Sequence, residues 1–314
     1  MKQALLLFVL SLLMGGLVVF GIAILQADTS KTEDNTTQIE NSTTQNGKTP
    51  FAEGCDKCHG DETAYKEWTQ AGHSHALVNL LEGKYEVRTS CLSCHSSGYE
   101  IFAEHGIPGH PYNEKTAVNA VACSSCHSHA SKEEHLLVIP AKKLCVTCHK
   151  MDCGCAGAGV IHQSQTEMFL GREGAGVKRM PSPHVRVMKK RCVHCHMAKV
   201  EKKDEKELET KHGGHTFKAD LSDCSSAGCH DSADNDMSKK LPLYRAEIDA
   251  MMKEVKTILD NAADKTSQAY IDAKLNYDMV KGDSGYGLHN IPYARALLQH
   301  SLSLKPQLIP VVDQ

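Results

Sequence analysis

Cysteine and histidine recur together along this chain at spacings that few chemistries need. Five CxxC pairs, Cys55/Cys58, Cys91/Cys94, Cys123/Cys126, Cys145/Cys148 and Cys192/Cys195, are each followed directly by a histidine: His59, His95, His127, His149 and His196. With 19 histidines in 314 residues, random placement would give that agreement roughly once in a million sequences. Two thioether bonds to one edge of a porphyrin, with the next imidazole standing over the metal at its centre, require this order of residues. Zinc also takes paired CxxC segments but has no need of a histidine after each. Disulfides within the pairs would leave the five histidines unexplained.

A sixth segment, CSSAGCH, carries Cys224, Cys229 and His230 with four residues between the cysteines. The second cysteine still stands directly before the histidine, and Ser225, Ser226, Ala227 and Gly228 are small enough to bulge outward. Gly228 supplies the backbone freedom for that bulge. CX4CH variants occur among multihaem cytochromes, so six covalent haem c groups are expected, using twelve of the fourteen cysteines. Cys153 and Cys155, in MDCGCAGAG, remain. A strained disulfide, a pair of unreactive thiols, a soft-metal site and a thiolate near a haem all stay open for them.

Each iron needs a second ligand, and thirteen histidines beyond the six proximal ones could supply it. Bis-histidine ligation throughout is therefore within reach, and methionine is not required. The stretch CDKCHGDETAYKEWTQAGHSHA resembles the opening of multihaem cytochromes related to hydroxylamine oxidoreductase and its tetrahaem electron acceptor, which implies His73, five after Trp68, as a distal ligand. SCLSCHSSGY followed by NAVACSSCHSHASKEEH resembles consecutive haem segments of the same group and implies His135. CVHCHMAK, a charged insert and HGGHTF resemble the segment before the last haem of pentahaem nitrite reductases, pointing to His215. GYGLHNIPYARALL looks like the C-terminal signature of these enzymes and points to His289, with His162, His184 and, more weakly, His110 as further candidates. Two features depart from the pattern. There is no CxxCK segment of the kind that carries the active haem in ammonia-forming nitrite reductases, and no equivalent of the tyrosine cross-link of hydroxylamine oxidoreductases.

The elements that must position these groups read as mainly α, a haem-packed cytochrome with an N-terminal transmembrane helix and long C-terminal helices. Residues 4 to 27 hold no charge, long enough to span a bilayer, and Lys2 inside with Asp28, Glu33 and Asp34 outside follows the positive-inside bias. Residues 1–27 are thus expected to be an anchor or signal segment that places the body on the periplasmic or extracellular side of the cell membrane. Residues 28–50, rich in Thr, Asn, Gln and Ser, read as a flexible tether. Residues 51–237 then form the hexahaem domain. Only one Trp and six Phe are available, so the porphyrins themselves are expected to fill the interior and to touch one another.

Residues 238–314 change pattern. Ile248, Met251, Met252, Val255, Ile258 and Leu259 recur at helical spacing. A second run passes through Tyr270, Ala273 and Met279 to a stop at Gly282, and a third begins near Asn290 with Pro292 in its first turn. The resemblance implies that such helices can mediate homodimers.

The net charge of −3 says little about nucleic acid, but no basic arm appears and no nucleic-acid partner is expected; the run Lys199 to Lys211 alternates in sign like a solvated loop. Two functions remain. One is an exported, anchored electron carrier between a quinol-linked donor and another redox partner in anaerobic-type respiration. The other is an enzyme acting on a small nitrogen or sulfur oxyanion at one open haem, which needs a vacant iron position beside cationic groups and a proton source.

Overall fold

A computed structural model describes residues 54–83, 86–99, 113, 115–117, 119–151, 161–198, 212–226 and 228–309. The chain divides into two compact units, Met1–Gly47 and Lys48–Gln314, and every described residue lies in the second. The apolar run 4–27, the tether, His110, Cys153, Cys155 and the charged insert fall outside the described residues. Among the described residues no helix is long and apolar enough to cross a membrane.

The described chain is helical, and its only β pairing is an isolated bridge between His127 and Leu137. Among the described residues before 237 the helices are short, 3 to 7 residues each. Their apolar cores are correspondingly small. Leu77, Leu92, Ala117 and Ala120 form one, and Trp68 with Ala122 forms another. The Trp68 indole N–H donates to the Val121 carbonyl at 3.0 Å, which satisfies its one donor and pins the helix Thr63–Thr69 against the segment leading into Cys123. Elements this short cannot stabilise themselves by propagation alone, so packing must hold them.

The long helices follow. α1 spans Met237–Asp260, α2 Gln268–Gly282 and α3 Ile291–Ser303. Each is opened by a side-chain cap: Asp236 accepts from the Ser238 N–H, Ser267 from Tyr270 and Asn290 from Tyr293. Pro292 sits in the first turn of α3, where its missing N–H costs nothing. The apolar stripes meet in one cluster containing Ile248, Val255, Ile258, Met279, Val280, Tyr293, Leu297 and Leu298. Arg295 on α3 forms a two-point pair with Glu247 on α1, at 2.5 and 2.8 Å.

Polar clamps then bind the loop 171–180 to this bundle. The amide of the fully buried Asn276 exchanges hydrogen bonds with the Ala175 backbone at 2.8 and 3.0 Å, and the Tyr293 hydroxyl accepts from the Gly174 N–H at 2.8 Å. Asn290, besides capping α3, donates to the carbonyls of Met168 and Met180 at 3.0 and 2.7 Å. Gly171, at φ +58°, lies where any Cβ would meet the Met180 carbonyl oxygen at 1.8 Å. The bundle is thus a post on which the segment carrying His162 and His184 is mounted.

Leu297 is fully buried at the centre of the post, whereas Leu243 is 69% exposed. Leu297→Ala should destabilise the holoprotein by about 2–5 kcal/mol, and Leu243→Ala by less than about 0.5 kcal/mol. Denaturant melts followed by far-ultraviolet circular dichroism, on preparations of equal haem content, check both.

Candidate haem sites

Each attachment segment is a single tight turn closed by the same hydrogen bond. The N–H of the proximal histidine donates to the carbonyl of the first cysteine at 2.8 Å for His59 and Cys55, 2.8 Å for His127 and Cys123, and 2.9 Å for His149 and Cys145. In the segments of His95 and His196 the turn is part of a short α-helix. The longer CSSAGCH loop keeps this closure: the His230 N–H donates to the Cys224 carbonyl at 3.0 Å. Its extra residues are taken up by a bulge in which Gly228 adopts φ +80° and donates to Asp231 at 3.0 Å. The first sulfur and the imidazole therefore keep the relation that the shorter segments have. All twelve cysteines are free of disulfides and at least partly accessible.

The attachment cysteines differ in exposure, most clearly at Cys58. This residue is exposed, as are Cys195 and Cys229, whereas the other nine described cysteines are half-buried. The local fold explains it. Cys58 lies on the four-residue helix Asp56–His59, which buries none of its residues, and Asp56, Lys57 and His59 around it are exposed as well. Its partner Cys55 instead packs against the cluster of Trp68 and Ala122. The first segment thus anchors one sulfur on apolar side chains and presents the other at the protein surface.

Facing these proximal histidines stand others. Ring centroids lie 6.2 Å apart for His59 and His129, 6.1 Å for His127 and His215, 6.1 Å for His149 and His73, 6.1 Å for His196 and His289, and 6.0 Å for His230 and His184. An imidazole nitrogen binds a first-row metal at about 2.0–2.1 Å, and its ring centre lies about 1 Å further back. Two rings across one metal ion are then about 6 Å apart, and the five pairs match that separation although their interplanar angles run from 17° to 88°. His95 has His162 beside it: burial first, and then the His95 imidazole, hold His162 below its ordinary pKa. The residues present therefore fit a haem iron with two axial imidazoles at five attachment segments, and His162 lies near His95 at the remaining one.

Ligation needs a free, unprotonated nitrogen, and the surroundings supply it. Nδ1 of His127 lies 2.9 Å from the His135 carbonyl, that of His196 2.9 Å from the Phe217 carbonyl and that of His95 3.2 Å from the Ala76 carbonyl, which fixes each ring and leaves Nε2 for a metal. Nδ1 of His59 meets Glu62 at 2.8 Å, that of His289 meets Asp283 at 2.7 Å, and the Asn235 amide lies 2.6 Å from that of His230. Burial, with His149 and His196 nearby, pushes His73 down to about 4, so its ring stays neutral. Burial likewise lowers His149, His184 and His196.

Of the expected distal residues, the structure sets His73, His162, His184, His215 and His289 each near a proximal histidine. His135 requires a correction. Its side chain is 70% exposed with Nε2 turned to Glu134 at 3.2 Å, and it contributes only its backbone carbonyl, to His127. The turn explains this. His135 and Leu136 both take positive φ, and the bridge of His127 with Leu137 folds this stretch back so that the carbonyl, not the ring, faces the haem segment. The ring opposite His59 belongs to His129, two residues after the third proximal histidine. The CHSHA sequence was the available signal: a second histidine two positions on, in a chain leaving the attachment turn, can serve a different iron from the first.

The doubled CXXCH motif family matches residues 116–152. No curated protein matches the chain. Among solved structures, the Outer Cell Wall Cytochrome OcwA is similar with a TM-score of 0.62 and 27% identity, covering 77% of this chain and 50% of that one. The undecaheme cytochrome from the S-layer of Carboxydothermus ferrireducens is similar in fold, with a TM-score of 0.62 and 20% identity over 82% of this chain and 46% of its own. The chain thus spans about half the length of these structures. Motif and fold together support a multihaem c-type cytochrome that binds haem c through its CXXCH segments. The narrower tie to hydroxylamine oxidoreductases and nitrite reductases remains a resemblance of sequence segments.

His129→Ala should open one iron, giving a high-spin ferric signal from roughly one-sixth of the haem. His135→Ala should leave all iron low-spin. Electron paramagnetic resonance of the two ferric variants distinguishes them.

Proposed function

We propose that this chain is a hexahaem electron relay. The observation that carries the reading is a second imidazole facing five of the proximal histidines at the separation of two axial ligands, with His162 near the remaining one, His95. Haem c, held in this way, supplies reversible one-electron chemistry and no site for bond making. The chain's own residues do the rest. Paired imidazoles would hold a haem iron alike in both oxidation states, and anchored Nδ1 atoms keep the rings from turning.

The attachment segments also touch one another, as a relay requires, in an order that departs from the sequence. Cys94 lies beside Cys148 and Cys145 beside Cys192, so the second, fourth and fifth segments are neighbours. Phe217 lies 4.6 Å from His73 and 5.8 Å from His215 by ring centroids, between the ligands of the fourth and third segments. Cys195 lies beside Cys224, which puts the fifth segment next to the sixth. Tyr65, raised by burial and then by Asp56, Cys123 and Cys55, lies beside the first and third. The path runs first, third, fourth, fifth, sixth, with the second as a branch on the fourth.

The apolar run 4–27 supports a membrane anchor with the body on the outer side, and the two similar structures are named for the cell wall and the S-layer. A quinol-linked donor in the membrane and a basic redox partner fit this placement, because each oxidised haem adds about one negative charge. The exposed side chains of the C-terminal helices, Leu243 and Ile271 among them, leave room for a homodimer.

The relay reading is tested on the holoprotein by adding carbon monoxide after dithionite reduction. The optical spectrum should not change, and a carbonyl band from even one haem would support the enzyme reading at an open iron.

A further inference from the structure

Six carriers in one chain need not be alike, and the polar group behind each imidazole is where this chain makes them differ. His95, His127 and His196 rest on neutral backbone carbonyls, and His230 meets a neutral amide. Three ligands have a carboxylate beside them. The buried Glu67 lies 3.9 Å from Nδ1 of His215, beyond hydrogen-bond distance, and accepts instead from the His215 backbone N–H at 2.8 Å. Glu62, behind His59, has a side chain 58% exposed, so water and salt screen its charge. Asp283, behind His289, is different. It is fully buried, at the C-terminal end of α2, where its Oδ1 lies 2.7 Å from Nδ1 of His289 and its Oδ2 accepts from the Gly287 N–H at 3.0 Å. Gly285 packs so closely that a Cβ there would lie 3.2 Å from the His289 ring, and Gly287, at φ +81°, has no room for a side chain against Ala294. The loop is built around this pair.

We infer that Asp283 is a positioning residue that sets the iron site of His196 and His289 at the most negative potential of the six. This rests on the relay reading above. A carboxylate accepting a short hydrogen bond from Nδ1 draws the proton toward itself and makes the far nitrogen a stronger donor. In a water-excluded setting the full negative charge also favours the more positive, ferric state over the ferrous one. Glu67, the other buried carboxylate beside a ligand, stands 3.9 Å from the His215 ring nitrogen, whereas Asp283 is in hydrogen-bond contact with His289 at 2.7 Å. The fifth segment is next to the fourth and sixth, so an electron passing between those must climb at this site. That makes Asp283 a device for limiting flow to the sixth segment until the other sites are filled.

The experiment is an optical and paramagnetic-resonance redox titration of the full-length holoprotein and of Asp283→Asn, with Glu62→Gln alongside. In Asp283→Asn the most negative of the reduction steps should move in the positive direction, and the ferric low-spin signal that disappears with that step should shift its g values, while the other steps stay. Glu62→Gln should leave the most negative step in place. A most negative step that stays put in an Asp283→Asn protein with six low-spin haems overturns the inference. Should that variant fail to mature, His289→Met reads the same site: methionine raises the potential, so the most negative wild-type step should vanish, and its persistence would overturn the assignment. The two readings fail separately. Carbon monoxide binding by the unaltered protein contradicts closed coordination, whereas an unmoved step in a protein that binds none contradicts the role of Asp283.

Discussion

A recurring separation of paired imidazoles, the one that two ligands across a single metal ion would need, organises this structure. Ring centroids 6.0–6.2 Å apart recur at five places, joining residues as distant in sequence as His73 with His149 and His127 with His215. Closing such loops costs chain entropy, and the short helices before α1 bury too little apolar surface to offset it alone. A flat apolar group stitched to each turn by two cysteines would supply the missing core. The small size of the protein-only clusters and the scarcity of aromatic residues are then two views of one fact.

The C-terminal helices solve a different problem. They have an ordinary apolar core, built from the stripe of α1 and the buried faces of α2 and α3. That core gives the far end of the chain a rigidity that the haem-bearing turns lack. Asn276, Asn290 and Tyr293 convert it into positional control, because each ties backbone of the 168–180 stretch, between His162 and His184, to the bundle. His289 is placed on the loop joining α2 to α3, between a buried carboxylate and a helix cap, so both its location and its ring direction are fixed.

Much of this could be read from residue order, and the limits have physical causes. The attachment turns are local, so CxxCH and even CSSAGCH disclose them, Gly228 included, because one hydrogen bond within the turn sets the geometry. The C-terminal helices are equally legible, since their periodicity and their Ser, Asp and Asn caps are short-range features. Burial of the sulfurs is less so: the spacing treats Cys55 and Cys58 alike, and only the packing of Trp68 separates them. Distal ligation is not local either. His129 and His135 stand six residues apart in the same stretch. Which of them offers its ring depends on two positive φ angles and one antiparallel bridge that no spacing rule encodes. The order of the segments in space was hidden for the same reason: Cys145 meets Cys192 and Cys94 meets Cys148 only through the tertiary fold.

All of this depends on porphyrins being joined to the chain at six turns, the CSSAGCH turn among them. The most direct measurement is the intact mass of protein matured in a host with a cytochrome c assembly system, taken under denaturing conditions that strip any group not covalently held. The account requires a mass exceeding that of the polypeptide by six haem groups. An increment of five or fewer in fully matured protein would contradict it.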